Sequence, residues 1–225
     1  MNLTSLARPL IEACRRLCDA GVLGGTDGNL SQRYPEGARS DDGEFVRVGS
    51  WLITGRDAHK ASLTPEDFAL LSQTDDSLAG PEPSSEWELH RTIYRMRDDV
   101  HAVVHAHPPY ATALAIAGLP LPAEMLAELV VDFGGIPLIP YATPGTDAVG
   151  ETVETHLGQA NGALLAQHGA ITVADRPERA MARMERLERA AHSFVLARLL
   201  LAGAPRTLTG GQVAAVLSEK GHEPS

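Results

Sequence analysis

The sequence lacks the features that mark secreted, thiol-dependent and membrane proteins. It has only two cysteines in 225 residues, Cys14 and Cys18. Their spacing of four within a predicted helix does not match a CxxC pair, so we expect buried, reduced thiols and not a disulfide, a redox centre or a zinc site. No apolar run approaches the ~20 residues needed to cross a bilayer, and the N-terminus lacks the basic region and apolar core of a signal peptide. These absences predict a cytoplasmic protein with no membrane partner.

Basic residues are also scarce. The chain has 19 Lys and Arg against 29 Asp and Glu, which gives a formal net charge of -10. A nucleic-acid partner is therefore not expected, because phosphate backbones bind basic patches. No GxGxxG or GxxxxGKS/T motif follows a predicted strand, so a nucleotide-binding loop is not predicted either. An anionic substrate would have to be attracted by local dipoles or by a bound metal, and not by the overall charge.

The composition that is present, 44% hydrophobic and 21% charged residues, is typical of a globular protein with a large core. Helical and strand-like hydrophobic patterns alternate along the chain, which favours a layered α/β fold with a mixed or mainly antiparallel sheet. We predict one domain over residues 1–203, ending in a long helix, and a loose polar tail over residues 204–225. Within the domain, "LTPEDFALLS" is predicted as a short helix that Thr64 caps.

Three histidines form a candidate metal site. His105 and His107 lie two apart in the strand-like run "VHAVVHAH", so their side chains share one face of the strand. By itself this pair is equally consistent with two hydrogen-bonded surface histidines. His168 ends a second apolar run and precedes Gly169, which allows a sharp turn. Three imidazoles match a zinc site that keeps one position open for chemistry, and Mn²⁺ or Co²⁺ could replace zinc there.

The segment "PSSEWELH" supplies a candidate acid and a candidate anion site. Ser84 and Ser85 lie at the start of a predicted helix, where free N–H groups and the helix dipole favour a phosphate. Glu86 lies in the first turn, where a carboxylate is stabilised by the same dipole. Plain capping by the serines and a dipole partner in Glu86 are the simpler alternatives. His90 lies four residues after Glu86 and would either orient it or be merely structural.

Several ordered motifs between about residue 10 and about residue 200 carry a resemblance to a known family. They are "GTDGNLSQRY", "LITG…LTPEDF", "PSSEWELH", "AVVHAHPPYATALA", "IPLIPYATPGT" and "LLAQHGAI". Together they resemble the class II aldolase/adducin family, and within it the aldolases that act on sugar phosphates. The resemblance implies a three-layer α/β/α fold with a central, mostly antiparallel sheet. It also implies a homotetramer with active sites at the subunit interfaces.

The resemblance further implies the roles of individual residues. Zinc would be held by His105, His107 and His168, with Glu86 as the catalytic acid and as an additional metal ligand when substrate is absent. The reaction would be cleavage of a ketose 1-phosphate, a small phosphorylated sugar, to dihydroxyacetone phosphate and an aldehyde. The residues that match the family's phosphate pocket are Gly28, Asn29, Thr54, Gly55, Ser84 and Ser85.

The sequence departs from the aldolase pattern in one loop. The aldolases carry a loop such as "TPSG" or "TPTG", and this chain has "TGRD". Thr54 and Gly55 are one candidate for the equivalent pair. A one-to-one alignment would instead place Arg56 and Asp57 there, so this part of the phosphate pocket has two possible assignments.

A second departure concerns the proton donor. The aldolases use a tyrosine after the HxH strand, and the corresponding region here, "LPAEMLAEL", has none. Glu124 or Glu128 could replace it, or both could belong to the solvated face of a helix. Trp87, Tyr94 and Tyr141 are better explained as core or interface residues than as substrate contacts.

These departures keep other reactions of the family open. A pentulose-phosphate 4-epimerase, a methylthioribulose-1-phosphate dehydratase and a decarboxylase would use the same metal site. A non-enzymatic, adducin-like interaction domain is disfavoured, because a scaffold has no need of three intact histidines and Glu86.

Overall fold

The structure is a computed structural model, and it describes residues 3–34, 49–72, 74, 76–201, 203 and 205–219. Within these ranges, one sheet of eight strands has the order β4-β3-β2-β1-β5-β8-β7-β6. Every neighbouring pair is antiparallel except β6 with β7. The strands are β1 Asn29–Arg33, β2 Trp51–Thr54, β3 Phe68–Leu71, β4 Ser77–Ala79, β5 Ala102–Ala106, β6 Leu138–Ile139, β7 Gly162–Leu165 and β8 Gly169–Ala174.

Helices cover both faces of this sheet. They are α1 Leu3–Asp19, α2 Trp87–Met96, α3 Pro109–Ile116, α4 Ala127–Phe133, α5 Asp147–His156, α6 Pro177–Leu200 and α7 Gly210–Glu219. Helices α1, α3, α4 and α6 contribute to one hydrophobic cluster, and α2 and α5 contribute to a second. The predicted three-layer α/β/α fold with a mostly antiparallel sheet is therefore confirmed.

The alternation of side chains along the strands assigns residues to these two clusters. In β5, Ala102, Val104 and Ala106 pack in the cluster of α1 and α6, whereas Val103 packs in the cluster of α2 and α5. His105 follows Val103 by two residues and therefore faces α2. The polar side chains of the site consequently lie on the same side of the sheet as the N-terminus of α2.

The segment "LTPEDFALLS" differs from its prediction as a short helix. Only one 3₁₀ turn forms, Pro65–Asp67, with Thr64 and Asp67 in a capping box. The chain then extends into β3, whose residues are all buried. Strand β3 is hydrogen-bonded between β2 and β4, and this pairing outweighs the weak local preference for helix.

The C-terminal segment also differs from the predicted loose tail. Residues 210–219 form α7, which packs against α4, and the Leu208 N–H donates to the Glu124 carbonyl at 2.8 Å. The half-buried side chains of Val213, Val216 and Leu217 recur at helical spacing along α7. Residues 220–225 of the predicted tail lie outside the described residues. Within the described ranges, none of the helices is long and apolar enough to cross a bilayer.

Candidate metal centre and active site

The ends of two neighbouring strands bring the three histidines together. His105 lies in β5, His107 follows its end, and His168 lies in the connection between β7 and β8. Strands β5 and β8 pair with His105 opposite Ile171, so the connection before β8 lies beside the end of β5. The ligand atoms of the three imidazoles all lie within 4.8 Å of one another. The predicted cluster is therefore formed in the folded chain.

Two glycines permit the close approach of backbone segments around this cluster. A Cβ on Gly169 would lie 2.5 Å from the Ala106 carbonyl oxygen and 2.6 Å from His107 Cδ2. A Cβ on Gly28, where φ is +70°, would lie 2.6 Å from the His105 carbonyl oxygen. Gly169 thus serves close packing, and the left-handed residue of the turn is Gln167, with φ of 53°. Larger side chains at either glycine would push the ligand-bearing segments apart.

Glu86 completes the cluster from the helix layer that packs on this side of the sheet. It is the N-cap residue of α2, and its side chain makes no capping hydrogen bond. Its Oε2 lies 3.2 Å from His105 Nε2, and its Oε1 lies 3.1 Å from His168 Nε2. The Nε2 atoms of His105 and His107 are 3.2 Å apart. Ligands at 2.0–2.1 Å from a tetrahedral zinc are separated by about 3.3 Å, so these separations fit one small cation.

The protonation pattern supports the same conclusion. His105 Nδ1 lies 3.0 Å from the Ala170 carbonyl oxygen, and a carbonyl accepts only, so Nδ1 carries the proton and Nε2 presents a lone pair in the neutral ring. That lone pair faces the carboxylate of Glu86 and the ring of His107. Glu86 Oε1 is buried without a hydrogen-bond partner. A divalent cation bound among these acceptors would relieve their repulsion, so the residues fit a metal of the zinc type.

The electrostatics of the site keep the acid ionised and one ligand neutral. Burial raises the pKa of the Glu86 carboxyl, but positive charge on His105 and His168 lowers it by more, so this pKa lies below its ordinary value when those rings are protonated. Burial, together with His105 and His168, lowers the pKa of His107 to about 4. A neutral imidazole is the form that binds a metal. Near neutral pH, Glu86 and His107 are therefore in their metal-binding forms.

A cavity of about 180 Å³ opens beside the cluster. Its wall includes Glu86 and His107 together with most of the residues predicted to bind phosphate, namely Gly28, Asn29, Gly55, Ser84 and Ser85. Thr54 does not line it: its side chain is buried, and its Oγ1 accepts a hydrogen bond from the Leu30 N–H. Arg56 and Asp57 do line the cavity. The loop therefore presents "GRD" to the cavity.

Lys60 is a cavity residue that the sequence analysis did not identify. It is 1% exposed, and its Nζ donates to the carbonyls of Thr26 and Ala58 at 3.0 and 2.7 Å. Its backbone N–H donates to the Gly25 carbonyl at 2.8 Å. Lys60 thus joins the two loops that form one wall of the cavity. The only signal in the sequence was a lysine in the departing loop "TGRDAHK", which has no periodicity of its own.

The other candidates lie away from this cavity. Glu124 and Glu128 are exposed, and Glu124 lines a different cavity beside α7. Trp87 stacks on Trp51 with ring centroids 6.3 Å apart, and Tyr94 is buried. Both residues belong to the hydrophobic packing, as predicted. Tyr141 is 55% exposed.

Comparison with known proteins agrees with this geometry. The family model of the Class II Aldolase and Adducin N-terminal domain matches residues 8–195. A 3-oxo-tetronate 4-phosphate decarboxylase from Cupriavidus necator is 36% identical over 187 residues, which is 80% of this chain and 80% of that protein. The L-fuculose phosphate aldolase of Escherichia coli strain K12 is 31% identical over 219 residues, which is 97% of this chain and 95% of that protein.

A solved structure extends the comparison to the fold. The crystal structure of L-fuculose-1-phosphate aldolase from Thermus thermophilus superposes with a TM-score of 0.71 at 28% identity, covering 90% of this chain and 98% of that one. The family match spans most of the chain and includes Glu86 and all three histidines. The chain therefore belongs to the class II aldolase and adducin family and is an enzyme of its lyase class.

Proposed function

We propose that this enzyme is a zinc-dependent aldolase that cleaves a ketose 1-phosphate, such as fuculose 1-phosphate, to dihydroxyacetone phosphate and an aldehyde. The observation that supports it best is the convergence of His105, His107, His168 and Glu86 beside a polar cavity. The three histidines would hold the metal. When bound, the metal would supply a Lewis acid for the negative charge that develops on the substrate's carbonyl oxygen.

The cavity residues support a phosphorylated substrate. Ser84 and Ser85 precede α2 and line the cavity together with Gly28 and Asn29. Lys60 and Arg56 place two cationic side chains in a wall that also carries the carboxylates of Asp27 and Asp57, and Arg56 pairs with Glu82 at 2.9 Å. We include Arg56, whose side chain is 47% exposed, among the proposed phosphate contacts, whereas Lys60 supports the wall through its two carbonyl contacts.

Glu86 is the proposed acid–base group. When the carbon–carbon bond breaks, its electron pair passes to the ketone, and the carbon that lost its partner must gain a proton. Glu86 lies at the cavity wall with 13% of its side chain exposed, so it can take a proton from solvent or substrate and deliver it to that carbon.

A second candidate is decarboxylation of a phosphorylated 3-oxo acid. One relative at 36% identity is a decarboxylase of this kind, and the Arg56 guanidinium at the cavity wall could pair with a carboxylate as well as with a phosphate. Loss of CO₂ from a 3-oxo acid also leaves negative charge on the ketone oxygen and a carbon that needs a proton. The same residues therefore serve both reactions.

Product identification distinguishes these reactions. The zinc-loaded enzyme is incubated with fuculose 1-phosphate, other ketose phosphates and 3-oxo-tetronate 4-phosphate, and triose phosphate and CO₂ are measured by coupled assays. Dihydroxyacetone phosphate from a ketose 1-phosphate is the expected result. Release of CO₂ together with triose phosphate from 3-oxo-tetronate 4-phosphate, with no cleavage of the ketose 1-phosphates, would identify a decarboxylase, because a four-carbon acid that loses CO₂ leaves a three-carbon ketose phosphate. A new pentulose 5-phosphate would identify an epimerase. A dehydrated product of unchanged carbon number would identify a dehydratase. The Glu86→Gln protein, purified identically, controls for host enzymes.

We also propose that the enzyme is a homotetramer with its sites at subunit interfaces. Large apolar side chains are exposed near the end of α6 and the end of α3, with Leu199 78%, Leu200 86% and Ile116 62% exposed. Exposed clusters of this kind are typical of subunit contacts. Sedimentation is expected to give a tetramer at micromolar concentration. A fully active monomer would refute the interface sites.

A further inference from the structure

A chain of hydrogen-bonded side chains leads from the active site into the core between β1 and α2. Asn29 Nδ2 donates to Glu86 Oε2 at 2.9 Å, and Asn29 Oδ1 contacts His90 Nε2. His90 Nδ1 lies 2.6 Å from Ser31 Oγ, which lies 2.6 Å from the Tyr94 hydroxyl. The four residues behind Glu86 are each at most 5% exposed. Water therefore does not compete for these contacts.

The chemistry of Glu86 fixes the direction of every bond in this chain. An ionised carboxylate only accepts, so Asn29 must turn its NH₂ group to Glu86 and its carbonyl oxygen to His90. His90 must then carry its proton on Nε2. Burial, with His105 as a second cause, lowers the pKa of His90 to about 3, so the ring is neutral and Nδ1 accepts from the Ser31 hydroxyl. Ser31 in turn accepts from Tyr94.

The Asn29 side-chain amide is the group in this hydrogen-bonded series that could rotate by 180°. Rotating it by 180° would place its carbonyl oxygen against the Glu86 carboxylate, and two acceptors in contact repel each other. The N–H of His90 opposes this rotation, because it requires an acceptor on its side of the amide. The backbones on both sides of these contacts are fixed. Asn29 and Ser31 lie on strand β1, and His90 and Tyr94 lie on helix α2.

We propose that His90 is a positioning residue that holds Glu86 in place through the Asn29 amide. This inference rests on the proposed role of Glu86 as the acid–base group. In this proposal Asn29 both orients Glu86 and makes the expected contact with substrate phosphate. One amide can do both, because its NH₂ group has two protons. One proton of the NH₂ group is donated to Glu86, and the other remains for a ligand in the cavity that Asn29 lines.

Two substitutions of His90 separate positioning from packing. In His90→Gln the side-chain amide reaches the place of Nε2 and can still donate to Asn29. In His90→Asn the shorter amide reaches only the place of Nδ1 and can contact Ser31 but not Asn29. Both variants bury one polar amide, so a purely structural role would predict similar losses. We expect His90→Asn to lower kcat about 10–100-fold, as for other residues that orient a catalytic group, and His90→Gln to keep most of the rate.

Crystal structures of the two variants provide a readout that needs no substrate. The Asn29–Glu86 contact of 2.9 Å is expected to persist in His90→Gln and to be lost in His90→Asn. If both variants keep the contact, or both lose it, the positioning role is refuted. The two proposals can fail separately. If the enzyme cleaves none of the tested substrates, but the contact persists in His90→Gln and is lost in His90→Asn, the proposed reaction is refuted and the positioning role is supported.

The Glu86→Gln background provides the second test. A residue that acts through Glu86 has no further effect once Glu86 is disabled, so adding His90→Asn to Glu86→Gln should not lower kcat again. An equal loss in both backgrounds would show that His90 acts independently of Glu86. Should His90→Asn fail to fold, Ser31→Ala replaces it, because it removes the donor to His90 Nδ1 with little change in volume. Full kcat in Ser31→Ala would then overturn the proposal.

Discussion

Replacing His105, His107 and His168 together by alanine is expected to reduce the zinc content from about one ion per chain to near zero. Their ligand atoms lie within 4.8 Å of one another, and Glu86 alone cannot retain a divalent ion at micromolar concentration. Elemental analysis after dialysis measures the content directly. Added zinc is expected to raise the Tm of the wild type but not that of the triple variant, because a metal stabilises only the state that binds it.

Two exposed histidines supply the control for this experiment. His59 and His156 lie on other elements and are exposed, so replacing both by alanine should leave zinc content and activity unchanged. Zinc at the wild-type level in the triple variant would show that the metal, if any, binds elsewhere. Loading with Mn²⁺ or Co²⁺ is expected to require the same three histidines, since imidazole accepts all of these ions.

Replacing Glu86 by glutamine is expected to lower kcat by about 10²–10⁴-fold, the range for a general acid–base group. The amide has nearly the same shape as the carboxyl group but cannot exchange a proton with the substrate. The three histidines remain, so most of the metal should be retained and the fold should be unchanged. Single-turnover kinetics with the best substrate, together with elemental analysis, tests both parts of this expectation.

Glu88 offers a matched control on the same helix. It lies two residues after Glu86, in the first turn of α2 and outside the cavity, with Arg91 at 3.9 Å. Glu88→Gln removes the same charge from the same end of the helix dipole, so it should have little effect on kcat. Near-normal turnover in Glu86→Gln, or an equal loss in both variants, would leave Glu86 as no more than a partner of the dipole.

The histidine cluster could be predicted from the sequence because its signal is local or chemical. His105 and His107 share a face by strand periodicity alone, and imidazole is an established ligand type. The three-layer fold came from the resemblance and from the alternation of helical and strand patterns. Long elements such as α1 and α6 carry many periods of that pattern, so their existence was predicted correctly.

Short segments were harder to predict, since their conformation depends on neighbours that are distant in sequence. "FALL" in β3 is apolar throughout and would suit a buried helix or a buried strand equally. Pairing with β2 and β4 decided it. In the C-terminal segment, three apolar residues at helical spacing were too few to predict α7, and the contact with α4 stabilises that helix.

By itself the sequence determined the layered fold, the acidic net charge and the histidines and Glu86 that the proposed metal site uses. These follow from side-chain chemistry and from periodicities that a few consecutive residues establish. Only the tertiary structure decided what surrounds Glu86. Pairing of β1 with β5 places Asn29 opposite His105, and the packing of α2 on that face brings His90 to the other side of the same amide. Lys60 joins two loops through carbonyl groups. No local pattern encodes such contacts, because strand register and hydrogen bonds between distant segments are set by the packing of the whole chain.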